Sequence, residues 1–325
     1  MGEIGLREAV SRGLREALDE DDRVFIMGED VGTFKGAYAV TSGFLEEYGP
    51  DRIIDSPISE SAVVGASIGA ALGGLRPVIE IMTVNFMLLA MDQVVNHAAK
   101  LRYMSNGQLK VPIIIRTVTG GGGQLGATHS QSLEVWFATV PGLKVIVPSD
   151  PYDALGLLRT AIKDDDPVIF AEHALLYRIK GEVPDERYEI PLGQAKLKRT
   201  GSDITLVAYS RMVHIALEAA EILSGRGIEA DVVDLRTLRP LDTSTVIESV
   251  KKTNRAVVVE EFWRTGGMAA EIASTIQETA FDYLDGPVGR VGGIEVPAPY
   301  NGTLEAATLP TANRVVETIK NLYGI

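Results

Sequence analysis

The sequence contains no cysteine among its 325 residues, which excludes disulfide bonds, thiolate metal ligands and cysteine nucleophiles. It also lacks an apolar run that approaches the roughly 18 residues of a membrane span. The first ten residues, MGEIGLREAV, have neither the basic nor the apolar region of a signal peptide. We therefore predict a cytoplasmic protein without a membrane partner, or an organelle protein shown without its transit peptide.

Positive charge is scarce, because 31 lysine and arginine residues face 44 aspartate and glutamate residues and leave a net charge of −13. This charge argues against nucleic acid as a partner, since a phosphate backbone needs a basic face. The acidity fits a basic protein partner, and it fits equally well a surface charge that only aids solubility.

Common metal and nucleotide motifs are missing as well. The sequence has no HExxH, no calcium-loop pattern and no Gly-Asp-Gly. A glycine-rich segment at 119–130 lacks the Gly-Lys-Ser/Thr of a Walker A loop, and no helix opens within it as the dinucleotide fingerprint requires. The chemistry of this chain must therefore come from another arrangement of side chains.

Short apolar stretches alternate with helix-length stretches along the chain. Candidate strands lie at 23–27, 52–55, 77–81, 111–116, 144–147 and 167–171, and candidate helices at 61–72, 87–104 and 151–163. This alternation predicts a parallel sheet with helices on both faces. A charged stretch with two prolines at 180–199 breaks the pattern, which restarts at 204–209. We predict two doubly wound, three-layer α/β domains at 1–185 and 201–325, joined by a linker at 186–200.

One predicted helix, at 61–72, carries Gly65 and Gly69 on one face, and Gly73 follows on the same face. Glycine costs roughly 1 kcal/mol against alanine inside a helix, so another backbone must pass close to this face. That backbone belongs either to the same domain or to another subunit, and the pattern favours neither.

Three segments follow predicted strands at the edge where open α/β sheets bind ligands. The first, 55–61, contains Glu60, which is either an acid at a helix N-terminus or a functional carboxylate. The second, 80–86, contains Met82 and Phe86, which line either the core or an apolar slot. The third, 119–130, has four consecutive glycines and ends near His129. Such a loop lets the backbone approach a ligand or move over it.

The chain resembles the beta subunits of heterotetrameric 2-oxoacid dehydrogenases over nearly its whole length. The matching segments are 28–32 (GEDVG), 51–60 (DRIIDSPISE), 74–78 (GLRPV), 91–93 (MDQ), 128–134 (THSQSLE), 141–145 (PGLKV) and 234–240 (DLRTLRP). The resemblance implies an N-terminal domain that binds the pyrimidine half of thiamine diphosphate and a transketolase-type C-terminal domain. It also implies an alpha subunit that carries the diphosphate and its magnesium, which accounts for the missing Gly-Asp-Gly.

The resemblance assigns roles to the residues of the three segments. Glu60 matches the catalytic glutamate that hydrogen-bonds the pyrimidine N1' and favours its imino tautomer. Phe86 matches the aromatic residue stacked on the pyrimidine, and Met82 a neighbouring contact that favours pyruvate over branched-chain substrates. His129 matches a histidine of substrate binding or acyl transfer. The family's potassium ligands correspond to Ile113, Ala161, Ile162, Asp164 and Asp166.

By resemblance, this chain is the beta subunit of a pyruvate dehydrogenase of α2β2 composition, which decarboxylates pyruvate and acetylates the lipoamide of a dihydrolipoyl acyltransferase. Branched-chain 2-oxoacid and acetoin dehydrogenases remain alternatives, because a methylene or two in a pocket changes binding by only about 1–3 kcal/mol. A non-catalytic docking subunit is a further alternative, against which Glu60, Phe86 and His129 together argue.

Overall fold

The computed structural model describes residues 2–324, which form two compact units. The first unit comprises residues up to 119 together with 136–192, and the second comprises 120–135 and the residues from 193 onward. No helix within residues 2–324 is both long and apolar enough to cross a membrane. The two units are described in turn.

Among residues 2–324, the first unit contains eight strands, five complete α-helices and most of a sixth, α5, whose first two residues belong to the second unit. The strands are β1 (Gly2–Gly5), β2 (Val24–Gly28), β3 (Ile53–Asp55), β4 (Arg76–Ile81), β5 (Ile114–Thr119), β6 (Lys144–Ile146), β7 (Val168–His173) and β8 (Lys180–Val183). The α-helices are α1 (Leu6–Glu20), α2 (Phe44–Tyr48), α3 (Glu60–Leu72), α4 (Ala99–Met104), α5 (Glu134–Ala138) and α6 (Pro151–Lys163).

Six of these strands form a parallel sheet in the order β6-β7-β5-β4-β2-β3, while β1 and β8 pair antiparallel with each other. Helices α1 and α6 pack together against the sheet and share an apolar core with it, to which Leu14, Val24 and Leu158 belong. Helix α6 begins where the sequence predicts, because the Asp150 side chain accepts a hydrogen bond from Asp153 N at 2.7 Å.

Two sequence predictions for this unit are wrong in detail. The segment 87–104 is not one α-helix, because a 3₁₀ turn (Phe86–Ala90) and a π-helix (Gln93–Ala98) precede α4. Apolar spacing does not reveal a π turn, which inserts one extra residue into an otherwise helical path. The strand predicted at 111–116 is displaced to β5. Pro112 lacks an N–H group, and Ile113 N bonds back to Val111 O at 2.8 Å, so the ladder begins only afterwards.

The second unit repeats the α/β alternation. Its strands are β9 (Lys196–Arg199), β10 (Ile204–Ala208), β11 (Ala230–Asp234), β12 (Thr237–Arg239), β13 (Ala256–Trp263) and β14 (Gly289–Gly293). Its helices are α7 (Met212–Ser224), α8 (Thr243–Thr253), α9 (Met268–Ala280), α10 (Gly302–Thr308) and α11 (Ala312–Tyr323). Five strands form a sheet in the order β14-β13-β10-β11-β9, in which only β9 runs antiparallel.

A buried guanidinium crosses the centre of the first sheet. Arg116 of β5 donates from Nε and Nη2 to Glu172 of β7, at 2.7 and 2.9 Å, and from Nη1 to Glu80 of β4, at 2.7 Å. The Tyr177 hydroxyl adds a 2.9 Å hydrogen bond to Glu172. Burial by itself would lower the pKa of Arg116, but the two carboxylates outweigh it and raise this pKa. The arginine therefore stays charged and ties three adjacent strands together.

Arg116→Met should lower the free energy of unfolding by about 3–5 kcal/mol, because it leaves two carboxylates buried without a cation. The measurement is urea unfolding followed by circular dichroism. Arg187→Met is the control, since Arg187 pairs with Glu20 on an exposed surface and its loss should cost less than about 1 kcal/mol. Equal losses in the two variants would contradict the view that the buried network stabilises the sheet.

Candidate active site

The first unit gathers candidate site residues at the carboxyl ends of three neighbouring strands. Glu29 directly follows β2, Glu60 begins α3 just after β3, and Met82 directly follows β4. Because β4, β2 and β3 are adjacent and parallel, their ends open on the same edge of the sheet. This is the edge at which open α/β sheets bind ligands.

Glu60 is buried, with 6% of its surface exposed, although it is the first residue of a helix. Among residues 2–324 nothing hydrogen-bonds its carboxyl group, and Ser59 at the N-cap makes no capping bond either. A glutamate that served only the helix terminus would satisfy backbone N–H groups there. The carboxyl group is therefore available to a ligand.

Glu29 is a second carboxyl group beside Glu60 that the sequence analysis missed. Burial and the nearby Glu60 and Asp30 carboxylates raise the pKa of Glu29. A carboxyl group close to another one is harder to ionise, which is the second cause of the raised pKa of Glu29 after burial. Its position directly after a buried strand, within the GEDVG segment, is the signal that could have revealed it.

Met82 and Phe86 flank a tightly bonded turn that follows β4. Phe86 N donates to Thr83 O at 2.9 Å, and the Asn85 side chain donates to the Thr83 hydroxyl at 2.6 Å. Val84 N donates to Val118 O at 2.8 Å, which fixes the turn to β5. Met82 and Phe86 remain partly exposed, whereas the residues between them are buried. The turn thus presents two apolar side chains at the edge that carries Glu60.

The glycine face of α3 is not filled by its own domain. A Cβ atom at Gly69 would meet nothing within 4 Å, and one at Gly65 would reach only the side chain of Gln93. Packing within the first unit therefore does not explain Gly69. The structure does not show a neighbouring backbone at this position among residues 2–324.

The 119–130 segment takes a different role from the one that the sequence suggests. Its backbone wraps around carboxylates of its own chain. Gly121 N donates to Glu261 Oε1 at 2.6 Å, and Ser132 Oγ lies 3.2 Å from the same oxygen. Gly122 N and Gln124 N donate to the two oxygens of Glu305, at 3.0 and 2.8 Å. We call residues 120–126 the glycine loop.

The glycine loop forms a nest, a concave run of backbone N–H groups made by residues of alternating handedness. Gly120 and Gly122 have φ values of +92°, and Gln124 adopts +57°. Nests of this kind commonly bind phosphate or other anions. Here the chain's own buried Glu305 carboxylate, 1% exposed, occupies the nest.

His129 lies just beyond the glycine loop in the second unit, and its side chain is exposed. Its backbone N donates to Gly126 O at 3.2 Å, and its Nδ1 lies 2.9 Å from the Thr128 hydroxyl. These two contacts join His129 to the neighbouring residues of the loop.

Glu260 is a further buried carboxyl group of the second unit that the sequence did not reveal. It is fully buried within β13 and faces Tyr209, whose hydroxyl lies 3.4 Å from Oε2. Burial raises the pKa of Glu260 to about 8, although the N–H groups of Ala269 and Met268 favour its ionised form. At neutral pH the folded chain thus holds a proton on this side chain.

The five predicted potassium ligands lie at the end of α6, in the turn that follows it and just before β5. Arg76 Nη1 donates to the carbonyl groups of Ile162 and Asp164, at 2.9 and 3.0 Å. The carbonyl groups of Ile113 and Ala161 accept from Val168 N and Asp164 N. The Asp166 carboxylate pairs with Arg102 and Lys144. Carbonyl oxygens are the right ligand type, but basic side chains already supply positive charge there.

Comparison with known families identifies the class. Residues 2–180 match the transketolase pyrimidine-binding domain, and residues 193–315 match the transketolase C-terminal domain. A solved structure described as a split-gene transketolase, an inactive beta4 tetramer, superposes with a TM-score of 0.80 at 25% identity and covers 98% of each chain. The chain thus has the two-domain transketolase-like α/β fold, as predicted.

Curated relatives give the particular family. The chain is 48% identical to the pyruvate dehydrogenase E1 component subunit beta of Rickettsia felis, over 98% of both chains. It is 48% identical to the mitochondrial subunit beta-2 of Oryza sativa subsp. japonica, over 98% of this chain and 86% of that one. It is 44% identical to the corresponding subunit of Gracilaria tenuistipitata var. liui, over 99% and 100%. The chain therefore belongs to the family of pyruvate dehydrogenase E1 beta subunits, which depend on thiamine diphosphate.

The first unit is suited to an aminopyrimidine ring. The buried Glu60 carboxyl group, which has no donor among residues 2–324, can hydrogen-bond a ring nitrogen. Two partly exposed apolar side chains at the same sheet edge can contact the ring's faces. The observed residues therefore fit the cofactor of this family.

Glu260→Gln should change how stability depends on pH. The folded-state pKa of about 8 exceeds the ordinary value of 4.5, so the wild-type chain loses stability as pH rises from about 4.5 towards 8. Glutamine resembles the protonated side chain and does not titrate. Urea unfolding at pH 6.0, 7.0 and 8.0 should show the variant gaining about 1 kcal/mol per pH unit over wild type. Glu317→Gln, an exposed change in the same unit, is the control, and parallel pH profiles for wild type and Glu260→Gln would contradict the prediction.

Proposed function

We propose that this chain is the beta subunit of a pyruvate dehydrogenase, which acts with an alpha subunit in an α2β2 assembly. The pair would decarboxylate pyruvate on thiamine diphosphate and acetylate the lipoamide of a dihydrolipoyl acyltransferase. The observation that carries the proposal is the buried Glu60 carboxyl group at the ligand-binding edge of the sheet, in a chain 48% identical to known subunits of this kind.

Glu60 would share a proton with the pyrimidine N1' of thiamine diphosphate. The cofactor supplies the electron sink for decarboxylation. Glu60 is buried, and its neighbour Glu29 has a pKa that burial and the Glu60 carboxyl group raise. Phe86 and Met82 would hold the ring between apolar surfaces and exclude water from it.

His129 would act at the substrate or at the acyl group. An imidazole is the side chain whose ordinary pKa allows it to move a proton near neutral pH. Its exposure and its place after a loop of four glycines fit a residue that meets an incoming lipoamide. In this proposal Glu60 serves decarboxylation and His129 serves the acetyl transfer or the binding of pyruvate.

Magnesium would be held mainly by the alpha subunit, since this sequence lacks Gly-Asp-Gly. Potassium stays a proposal at Ile113, Ala161, Ile162, Asp164 and Asp166, and no step of the reaction depends on it. A cytoplasmic location is likewise proposed. The relatives include a Rickettsia protein as well as mitochondrial proteins.

Glu60→Gln should reduce the rate of pyruvate decarboxylation by roughly 100-fold or more, because the amide cannot exchange a proton with the ring. The assay uses a dye as electron acceptor and the chain co-expressed with its alpha subunit. Glu46→Gln, an exposed change in the same unit, should leave the rate unchanged. Full activity of Glu60→Gln would exclude the proposed role. Activity on another 2-oxoacid alone would indicate a branched-chain or acetoin enzyme, and no activity on any 2-oxoacid would indicate a docking subunit.

The net charge of −13 supports a second expectation, that the basic subunit-binding domain of the acyltransferase docks on the C-terminal domain. Exposed acids there include Glu278 and Asp282, on either side of an exposed Phe281. Charge reversal of both acids to lysine should weaken binding, and 0.5 M salt should weaken it in wild type. Calorimetric titration measures both effects, with Glu46→Lys in the first unit as the control. An affinity that changes neither with salt nor on charge reversal would refute electrostatic docking.

A further inference from the structure

We propose that Glu305 is a positioning residue for His129, because its carboxylate holds the glycine loop in the one conformation that presents the imidazole. The inference rests on the role proposed above for His129. It adds a residue from the helix α10 that contacts no substrate and acts only through the backbone of the loop.

Two hydrogen bonds tie the backbone of the glycine loop to Glu305. Its two oxygens accept hydrogen bonds from Gly122 N and Gln124 N, so each oxygen holds one point of the loop backbone. Four consecutive glycines have access to many backbone conformations, and ordering them costs more entropy than ordering other residues. Charge-assisted hydrogen bonds to a buried carboxylate are strong enough to select one of these conformations.

The support behind Glu305 is itself rigid. The Asn301 side chain accepts hydrogen bonds from Thr303 N and Leu304 N and thereby caps α10, the helix that carries Glu305. A Cβ at Gly302 would lie 2.8 Å from the side chain of Gln124, so the loop packs directly on the start of that helix. The carboxylate therefore acts from a fixed position.

A second carboxylate closes the base of the loop. Glu261 Oε1 accepts from Gly121 N and lies within hydrogen-bond distance of Ser132 Oγ, so the two ends of the 121–132 segment meet at one oxygen. Only the outer part of the segment, which includes His129, is exposed. Glu261 fixes where the segment starts and ends, and Glu305 fixes how it turns between these points.

The consequence for His129 follows from its connection to the loop. Its backbone N donates to Gly126 O, and its Nδ1 lies 2.9 Å from the Thr128 hydroxyl, so a change in the conformation of the loop displaces the residue. A displacement of about 1 Å in a group that meets the substrate can reduce a rate roughly 100-fold. Losing one of the two acceptor oxygens of Glu305 should therefore lower activity without unfolding the domain.

Glu305→Gln is the principal variant, because its amide group would place an N–H donor against a backbone N–H donor. Glu305→Asp keeps two acceptor oxygens on a shorter side chain and should retain more activity than the glutamine variant. The matched control is Glu317→Gln, which makes the same change at an exposed position of the same unit. All variants are prepared as the assembly with the alpha subunit.

The experiment is a double-mutant cycle between Glu305→Gln and His129→Ala, with reductive acetylation of lipoamide and dye-coupled decarboxylation as the two activities. We expect Glu305→Gln alone to slow the activity that depends on His129 by roughly 10-fold or more. We expect no further loss when it is added to His129→Ala. Amide hydrogen–deuterium exchange should increase at residues 120–129 in Glu305→Gln. The midpoint of thermal unfolding of Glu305→Gln should equal that of the control Glu317→Gln.

The outcomes separate the two proposals. Equal losses from Glu305→Gln with and without His129, or unchanged exchange at 120–129, would overturn the positioning role. Full activity of His129→Ala in both assays would overturn the role proposed for His129, and with it the positioning role. In that case increased exchange at 120–129 in Glu305→Gln would still show that the carboxylate orders the loop, and the fault would lie in the role proposed for His129.

Discussion

The buried guanidinium of Arg116 is the interaction on which the first unit most depends. It binds carboxylates from the strands on either side, and Glu80 lies only two residues before Met82. A charge at this depth is tolerated only where its partners satisfy it, so the three strands cannot slide against one another without breaking the network. The end of β4, which carries Met82, is therefore fixed relative to β5 and β7.

Buried carboxyl groups serve more than one purpose in this chain. In the first unit, Glu29 and Glu60 interact without a basic partner among residues 2–324, and burial and the Glu60 carboxyl group raise the pKa of Glu29. In the second, Glu261 and Glu305 are satisfied by backbone N–H groups and hold a loop in place. Glu260 fits neither description. Burial raises its pKa and favours the protonated form, but no feature of residues 2–324 indicates a ligand beside it.

The sequence predicted the fold class and the strand ends that carry Glu60 and Met82, because buried parallel strands and their breaks leave a clear apolar pattern. It did not predict the π-helix at Gln93–Ala98, since one inserted residue hardly alters apolar spacing. It also missed Glu29, Glu261 and Glu305 as site residues. Their importance depends on partners distant in sequence: Glu305 lies more than 180 residues from the loop that it binds. The roles of Glu60, Met82, Phe86 and His129 rest on resemblance and stay proposals.

The occupied nest limits what the glycine loop can bind. A loop rich in glycine next to a sheet is the usual cradle for a phosphate group, yet here a carboxylate of the same chain already fills it. A free diphosphate would meet like charge and find its donors taken. The loop has the backbone geometry of a phosphate site, but two of its N–H groups already bind a carboxyl group of the same chain and hold the loop in one shape.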